Sequence, residues 1–180
     1  MFDHVGVAVS DLAASERFYR TVLSALGLEP SYAGSDMVGW DDWWIGPADS
    51  EHRATRGLHV GFRAPDRAAV DAFWQAGIDA GHPDDGAPGP RTVYGPDYYG
   101  GFLLDPDGNS AEAVHSERAN PVPPGQIDHL SIRVVDEREG EVGAGEPHAI
   151  RRVVGEAELG IRRDRRVEAP RRLRVADAEP

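Results

Sequence analysis

FDHVGVAVSD, residues 2–11, opens the chain, and GLHVGFRAPD, residues 57–66, repeats its arrangement. Each stretch alternates like a strand, and each has a histidine as its third residue, His4 and His59. QIDHLSIRVVD, residues 126–136, nearly repeats the pattern once more. An internal repeat of this kind predicts a fold built from copies of one structural unit.

The segments after the first two strands are also alike. Ser10-Asp11 is a helix cap, apolar residues follow it at helical spacing, and Gly27 marks the helix end. Pro65-Asp66 begins a second helix that ends at Gly81. Three candidate strands follow each helix: 30–33, 37–40 and 43–45, then, after a loop at 82–90, 91–94, 98–104 and 110–115, with a tight turn, DPDGN, before the last.

The repeat therefore predicts an α+β fold with two βαβββ modules, at 2–47 and 57–116. We expect them to form one domain over 1–117, followed by a Pro-rich linker at 118–126. Residues 127–180 then start like a further module but are too few to complete one.

The two strand histidines share their strand faces with small residues, which a packed core face would not favour. Gly6 lies beside His4, and Gly61 lies beside His59. Glycine inside a strand often marks a place where another group approaches closely. Glu112 lies on an apolar strand, where a carboxylate is costly unless it is paired or binds a metal. The pattern suggests a two-histidine, one-carboxylate metal site, although a strand histidine is also common as a purely structural residue.

Composition excludes several classes of protein. The 31 acidic residues outnumber the 19 basic ones, and an acidic body does not favour nucleic acid binding. The chain has no cysteine, so neither disulfides nor thiolate chemistry are expected. No apolar run approaches the roughly 20 residues of a membrane span, and no signal peptide is evident. We expect a cytoplasmic protein that acts on a small molecule.

The chain over 2–116 resembles the vicinal oxygen chelate superfamily of glyoxalases, bleomycin resistance proteins and extradiol dioxygenases. Three motifs carry the resemblance: FDHVGVAVSDLAASERFYRTVLSALGL, GLHVGFRAPDRAAVDAFWQAG and YYGGFLLDPDGNSAEAV. The resemblance implies a curved mixed sheet that holds a divalent metal, and a homodimer. It implies His4, His59 and Glu112 as metal ligands; such nitrogen and oxygen donors suit Fe(II), Mn, Ni or Zn.

Departures from the superfamily's patterns bear on the reaction. Glyoxalase-type enzymes usually carry a further Glu at the end of the first module, where this chain has Trp43-Trp44-Ile45. Extradiol dioxygenases carry a Tyr where this chain has Phe102. We expect lyase or isomerase chemistry through a metal-stabilised enolate. The alternatives are metal-free binding of a drug or aromatic metabolite, as in resistance proteins, and an extradiol-type dioxygenase.

Aromatic residues supply the remaining candidates for the site. We expect Trp44, Tyr94 and Phe102 to line a pocket, although such residues also pack ordinary strands. Tyr98 and Tyr99 are the catalytic candidates, because a phenol can donate to a bound carbonyl or enolate.

The last part of the chain is poor in large apolar residues. IDHLSIRVVD matches FDHVGVAVSD at four positions, but no aromatic residue follows Asp136. A segment with high charge and few apolar residues cannot bury enough surface to fold. We therefore interpret 127–180 as an incomplete module or a disordered tail, and His129 as an echo of the repeat rather than a ligand.

Overall fold

The computed structural model describes residues 4–117 and 125–132, and it confirms the α+β fold with two βαβββ modules. The first module consists of β1 (Val5–Val9), α1 (Leu12–Ser24), β2 (Tyr32–Ala33), β3 (Val38–Trp40) and β4 (Trp43–Pro47). The second consists of β5 (Leu58–Arg63), α2 (Arg67–Asp79), β6 (Asp84–Pro90), β7 (Tyr99–Leu104) and β8 (Ser110–His115). A further strand, β9 (Ile127–Ile132), follows the second module.

Each module forms its own mixed sheet. The first sheet has the order β1-β4-β3-β2, and the second has the order β6-β7-β8-β5-β9. In both sheets the first strand of the module runs parallel to its last strand. Strand β9 pairs antiparallel with the other edge of β5, and its register shifts between Gly61 and Phe62. The second module therefore gains a neighbour for its first strand from the segment that follows it.

The predicted helix caps are present in both modules. The Asp11 carboxylate accepts a hydrogen bond from the Ala14 N–H at 2.9 Å, and Asp66 accepts one from Ala69 at 2.8 Å. Each bond satisfies a backbone donor in the first helical turn that has no partner within the helix. The caps fix where each helix starts after its strand, which is why the two crossovers are alike.

The core lies between the helices and the inner faces of the strands, and aromatic rings from both modules meet in it. The Tyr19 ring on α1 is 5.4 Å from the Trp43 ring on β4, and Trp43 is 5.7 Å from Phe62 on β5. All three side chains are fully buried. Contacts of this kind are typical of aromatic packing and join the two modules.

The DPDGN turn between β7 and β8 is the predicted hairpin turn, and it is tied to the core. The Asp105 carboxylate accepts hydrogen bonds from the Asn109 N–H at 2.8 Å and from the Tyr19 hydroxyl at 3.0 Å. Gly108 has a φ of 80°, a conformation that favours glycine. Burial raises the pKa of Asp105, and that of Tyr19 as well. Through its hydrogen bonds to Asn109 and Tyr19, the Asp105 carboxylate acts as a structural acceptor within the turn.

Two predictions in the second module were wrong. Residues 82–90, predicted as a loop, contain strand β6, and residues 91–94, predicted as a strand, form a turn. The sequence of β6, DDGAPGP, carries glycine and proline signals that are typical of loops. Strand β6 lies at the sheet edge and pairs with β7 through two register shifts, a position where proline is tolerated.

Part of the predicted domain organisation lies outside the described residues. This applies to the linker at 118–126 except its last two residues, and to 127–180 except for β9. Within the described part of the chain, neither helix is long and apolar enough to cross a membrane.

Candidate metal centre

A row of residues in register across the second sheet forms the base of the candidate site. Phe102 on β7 pairs with Glu112 on β8, Glu112 pairs with Gly61 on β5, and Gly61 pairs with His129 on β9. Residues in register across a sheet point to the same face. Gly61 has no side chain, so Glu112 and His129 approach each other over it from both sides.

Three side chains converge above Gly61, and we call His59, Glu112 and His129 the His-Glu-His cluster. The Nε2 atom of His59 lies 3.1 Å from Oε2 of Glu112 and 3.0 Å from Nε2 of His129. The Nε2 atom of His129 lies 3.2 Å from the same Oε2 of Glu112. Donors bound at right angles to one ion, at about 2.1 Å each, would be roughly 3 Å apart. The spacing therefore suits three ligands on one face of an ion.

The outer atoms of the cluster are held by further hydrogen bonds. Nδ1 of His59 is 3.1 Å from Oγ of Ser110, and Nδ1 of His129 is 3.0 Å from Oδ2 of Asp128. The Tyr98 hydroxyl donates to Oε1 of Glu112 at 2.8 Å. Such partners fix the orientation of metal-binding imidazoles and carboxylates. Each histidine therefore presents Nε2, and the glutamate presents Oε2, to a common centre.

Two glycines provide the space that the cluster needs. A Cβ atom at Gly61 would overlap the His129 ring, and a Cβ atom at Gly100 would overlap Oε1 of Glu112. The close approach expected from glycine within strand β5 is therefore confirmed, and the approaching group is an imidazole.

The charges of the cluster balance one another without a metal. Burial lowers the pKa of His129, but hydrogen bonds to Asp128 and Glu112 outweigh it and raise the pKa to about 9. Burial raises the pKa of Glu112, and the bonds from His129 and His59 outweigh it and lower the pKa. At neutral pH His129 is an imidazolium between two carboxylates. A divalent cation at the same place would replace that proton.

Comparison with known proteins identifies the family. The sequence pattern of the glyoxalase/bleomycin resistance protein/dioxygenase superfamily matches residues 1–113. The chain belongs to this superfamily. The match includes His59 and Glu112 and ends before β9, so His129 comes from a segment outside the matched region. No curated protein matches the chain.

Solved structures agree with this assignment to the glyoxalase superfamily. A glyoxalase/bleomycin resistance protein from Albidiferax ferrireducens is 34% identical and aligns with a TM-score of 0.55, covering 65% of this chain and 99% of the other. A superfamily enzyme from Burkholderia phytofirmans is 23% identical with a TM-score of 0.50, covering 64% and 98%. A glyoxalase-related enzyme from Fulvimarina pelagi is 15% identical with a TM-score of 0.54, covering 72% and 97%. The last two likenesses concern the fold alone.

Of the three ligands predicted for this glyoxalase superfamily member, the structure brings two together. His59 and Glu112 belong to the cluster, whereas His4 does not. His4 is exposed and precedes β1, and within the described residues β1 has β4 as its one neighbouring strand. The prediction that His4 binds metal is not tested by these contacts and stays a prediction.

The two candidate catalytic tyrosines lie on opposite faces of the second sheet. Tyr98 is buried and donates to Glu112. The Tyr99 hydroxyl donates to Oδ1 of Asp71 on α2 at 2.8 Å, so it faces the helix side. Tyr98 therefore positions a cluster residue, and Tyr99 lies away from the cluster.

The three predicted pocket residues have different surroundings. The Phe102 ring is 6.0 Å from the His59 ring and forms a wall of the site. The Tyr94 ring is 5.2 Å from that of Tyr98. Trp44 lies on the first sheet, where its indole N–H donates to the Asp41 carbonyl and its ring is 6.0 Å from that of Tyr32. Phe102 is the predicted pocket residue that contacts the cluster.

Sequence reasoning set His129 aside, although a signal for it was present. The segment around it repeats the Asp-His pair that precedes β1. A segment that repeats the first strand of a module is expected to form a strand and to pair with an open sheet edge. The expectation of a disordered tail concealed this signal. Strand β9 is held in place by backbone bonds between Arg63 and residues 125–126 and by the Asp42 carboxylate, which accepts from the Ile127 N–H at 3.0 Å.

Proposed function

We propose that this superfamily member binds one divalent metal ion through His59, Glu112 and His129 and catalyses lyase or isomerase chemistry on a small oxygenated metabolite. The observation that carries the proposal is the convergence of two Nε2 atoms and one Oε2 atom at 3.0–3.2 Å from one another. When bound, a divalent cation supplies Lewis-acid stabilisation of negative charge on a substrate oxygen, as in an enolate.

The donor set suits such an ion. Two neutral imidazoles and one carboxylate, without a thiolate, are the ligands of Fe(II), Mn, Ni or Zn sites. Three protein ligands leave positions for water and for a substrate with two adjacent oxygens. The hydrogen bonds that the histidines and Glu112 make with Ser110, Asp128 and Tyr98 already hold the metal-binding atoms in place, so little rearrangement would be required.

The residues of the chain would perform the remaining tasks. Glu112 is buried and would contribute negative charge, which offsets the cost of a dication in a poorly hydrated site. Phe102 would exclude water on the β7 side of the cluster. Tyr98 would hold Oε1 of Glu112 and leave Oε2 for the ion. An extradiol-type dioxygenase is a weaker proposal, because Phe102 offers no hydroxyl beside His59.

The proposal is tested by metal binding and by proton exchange. Metal-free protein would be titrated with Fe(II), Mn(II), Ni(II) and Zn(II), and we expect one ion per chain for at least one metal. The loaded protein would then be mixed with small 2-oxo acids in D₂O. For enolate chemistry we expect metal-dependent exchange of the hydrogen on the carbon next to the carbonyl, which NMR would monitor. Failure to bind any of these ions would contradict the proposal.

Metal-free binding of a drug or aromatic metabolite is the second candidate. It is favoured by the hydrogen bonding of Glu112, because both carboxylate oxygens have partners without any metal. Tight binding of an aromatic compound by metal-free protein, with no response to added ions, would support it. The homodimer expected from the sequence stays a prediction, which light scattering with size-exclusion chromatography would test.

A further inference from the structure

Arg91 stacks on the ring of Phe102, a residue on the same face of the second sheet as the His-Glu-His cluster. Its guanidinium carbon is 5.3 Å from the centroid of the Phe102 ring, and that ring is 6.0 Å from the His59 ring. One aromatic ring therefore separates the cation from the cluster. Gly89 leaves room for it, since a Cβ atom there would lie 3.0 Å from a guanidinium nitrogen.

The guanidinium is held by neutral groups. Its terminal nitrogens donate to the carbonyls of Ala87 at 2.7 Å and Pro90 at 3.4 Å. Among residues 4–117 and 125–132, no carboxylate lies within ion-pair distance of Arg91. Other arginines of this acidic chain have such partners: Arg20 lies 2.8 Å from Glu16, and Arg56 lies 3.7 Å from Asp107.

A guanidinium in this setting is prepared for an anion. The aromatic ring and the two carbonyls restrict its orientation, so little side-chain freedom would be lost on binding. Its planar N–H groups match a carboxylate, which can accept two parallel hydrogen bonds. The Nε–H of Arg91 makes no hydrogen bond with the described residues and is therefore available to such a ligand.

We propose that Arg91 forms an anion subsite of the metal centre, so that the substrate carries a carboxylate in addition to the adjacent oxygens that the cluster's metal would take. The inference rests on the proposed function. The distal carboxylate would meet Arg91, and the carbons between the two ends would pass over Phe102. The substrate class is then a small 2-oxo or 2-hydroxy dicarboxylic acid.

The test compares matched pairs of ligands on nickel-loaded protein by calorimetry. Each pair consists of a 2-oxo dicarboxylic acid with five, six or seven carbons and the monocarboxylic acid of the same length, such as 2-oxoadipate and 2-oxohexanoate. The wild-type protein should prefer the diacid by about 10-fold or more for at least one length. Arg91→Gln should abolish that preference and leave nickel content and monoacid affinity unchanged.

Arg67→Gln is the matched control, because the Arg67 guanidinium is also stacked on an aromatic ring at 5.3 Å, that of Tyr99 on the helix side of the sheet. The Arg67→Gln variant should keep the wild-type preference for the dicarboxylic acid. An equal affinity for both acids at all three lengths, or a preference that survives Arg91→Gln, would overturn the subsite while leaving the metal site intact. A wild-type protein that binds no nickel or other divalent ion would overturn both proposals.

Discussion

The two modules contain the same elements in the same order, yet the His-Glu-His cluster is built on the second. The sequence pattern His-x-Gly occurs in both modules: His4 precedes β1 and Gly6 lies in it, whereas His59 and Gly61 both lie in β5. Strand β5 lies between β8 and β9, whereas β1 has one described neighbour, β4. His59 is thus part of a cluster because the strands on both sides of β5 contribute donors.

The register of the parallel pairs shows a second difference. Gly61 pairs with Glu112 on β8, and the corresponding residue of the first module, Gly6, pairs with Trp44 on β4. An indole therefore occupies the position that a buried carboxylate has in the second module. The repeat keeps the backbone arrangement, but the residue that pairs with the glycine is a carboxylate in the second module and an indole in the first.

The largest expected effect is the loss of that carboxylate. Glu112→Gln keeps the shape of the side chain but removes its negative charge, so metal affinity should fall by more than about 100-fold, beyond the usual effect of outer-shell changes. Glu16→Gln, on the exposed side of α1 in the first module, is the control. Isothermal titration with Ni(II) or Zn(II) measures both. Affinity within a few-fold of the wild type for Glu112→Gln would refute the ligand assignment.

The two glycines offer a matched pair. A Cβ atom at Gly61 would overlap the His129 ring, whereas nothing lies within 4 Å of one at Gly6. Gly61→Ala should lower the free energy of unfolding by about 1–3 kcal/mol and weaken metal binding, because the ring must move. Gly6→Ala should change stability by no more than about 0.5 kcal/mol. Equal effects in denaturant titrations would show that β9 does not depend on the space above Gly61.

The charge of His129 distinguishes the second module in metal-free protein. Its pKa is raised from 6.5 to about 9, so its stabilising contribution is complete below pH 6.5 and is lost as the pH rises through 9. Between pH 6 and pH 9 the wild type should lose on the order of 2 kcal/mol of unfolding free energy relative to His129→Gln. Urea titrations of both proteins in EDTA measure the difference. Parallel pH profiles would be inconsistent with a charged His129.

A smaller effect is expected from the phenol that supports Glu112. Tyr98→Phe removes the 2.8 Å hydrogen bond to Oε1, and metal affinity should fall by about 10-fold. Tyr99→Phe removes a hydrogen bond of the same length to Asp71 on the opposite face and should leave metal affinity unchanged. If the two variants behave alike in the titration, Tyr98 does not position the cluster.

The sequence predicted most of the helices and strands, because interactions between residues close in sequence determine where they begin and end. Asp11 and Asp66 specify the helix starts through bonds to residues three positions ahead, and alternation identifies β5 and β8. Strand β6 was missed because an edge strand tolerates the glycines and prolines that elsewhere mark a loop.

The third cluster residue could not be chosen from local pattern. His4 and His129 both follow an aspartate at the start of similar strands. Whether β1 or β9 pairs with β5 depends on contacts between distant segments. These include the hydrogen bond from Ile127 to Asp42 and the packing of the His129 ring over Gly61. Such contacts leave no periodic signal in the sequence.

The most direct test of which strand completes the cluster is the metal stoichiometry of two single variants, His129→Ala and His4→Ala. His52→Ala is the control, since its exposed ring pairs with Asp49 and is not part of the His-Glu-His cluster. Elemental analysis after dialysis against Ni(II) or Zn(II) should give one ion per chain for the wild type, His4→Ala and His52→Ala, and a large loss for His129→Ala. Full metal content in His129→Ala together with its loss in His4→Ala would contradict the account and assign the third ligand to the first module.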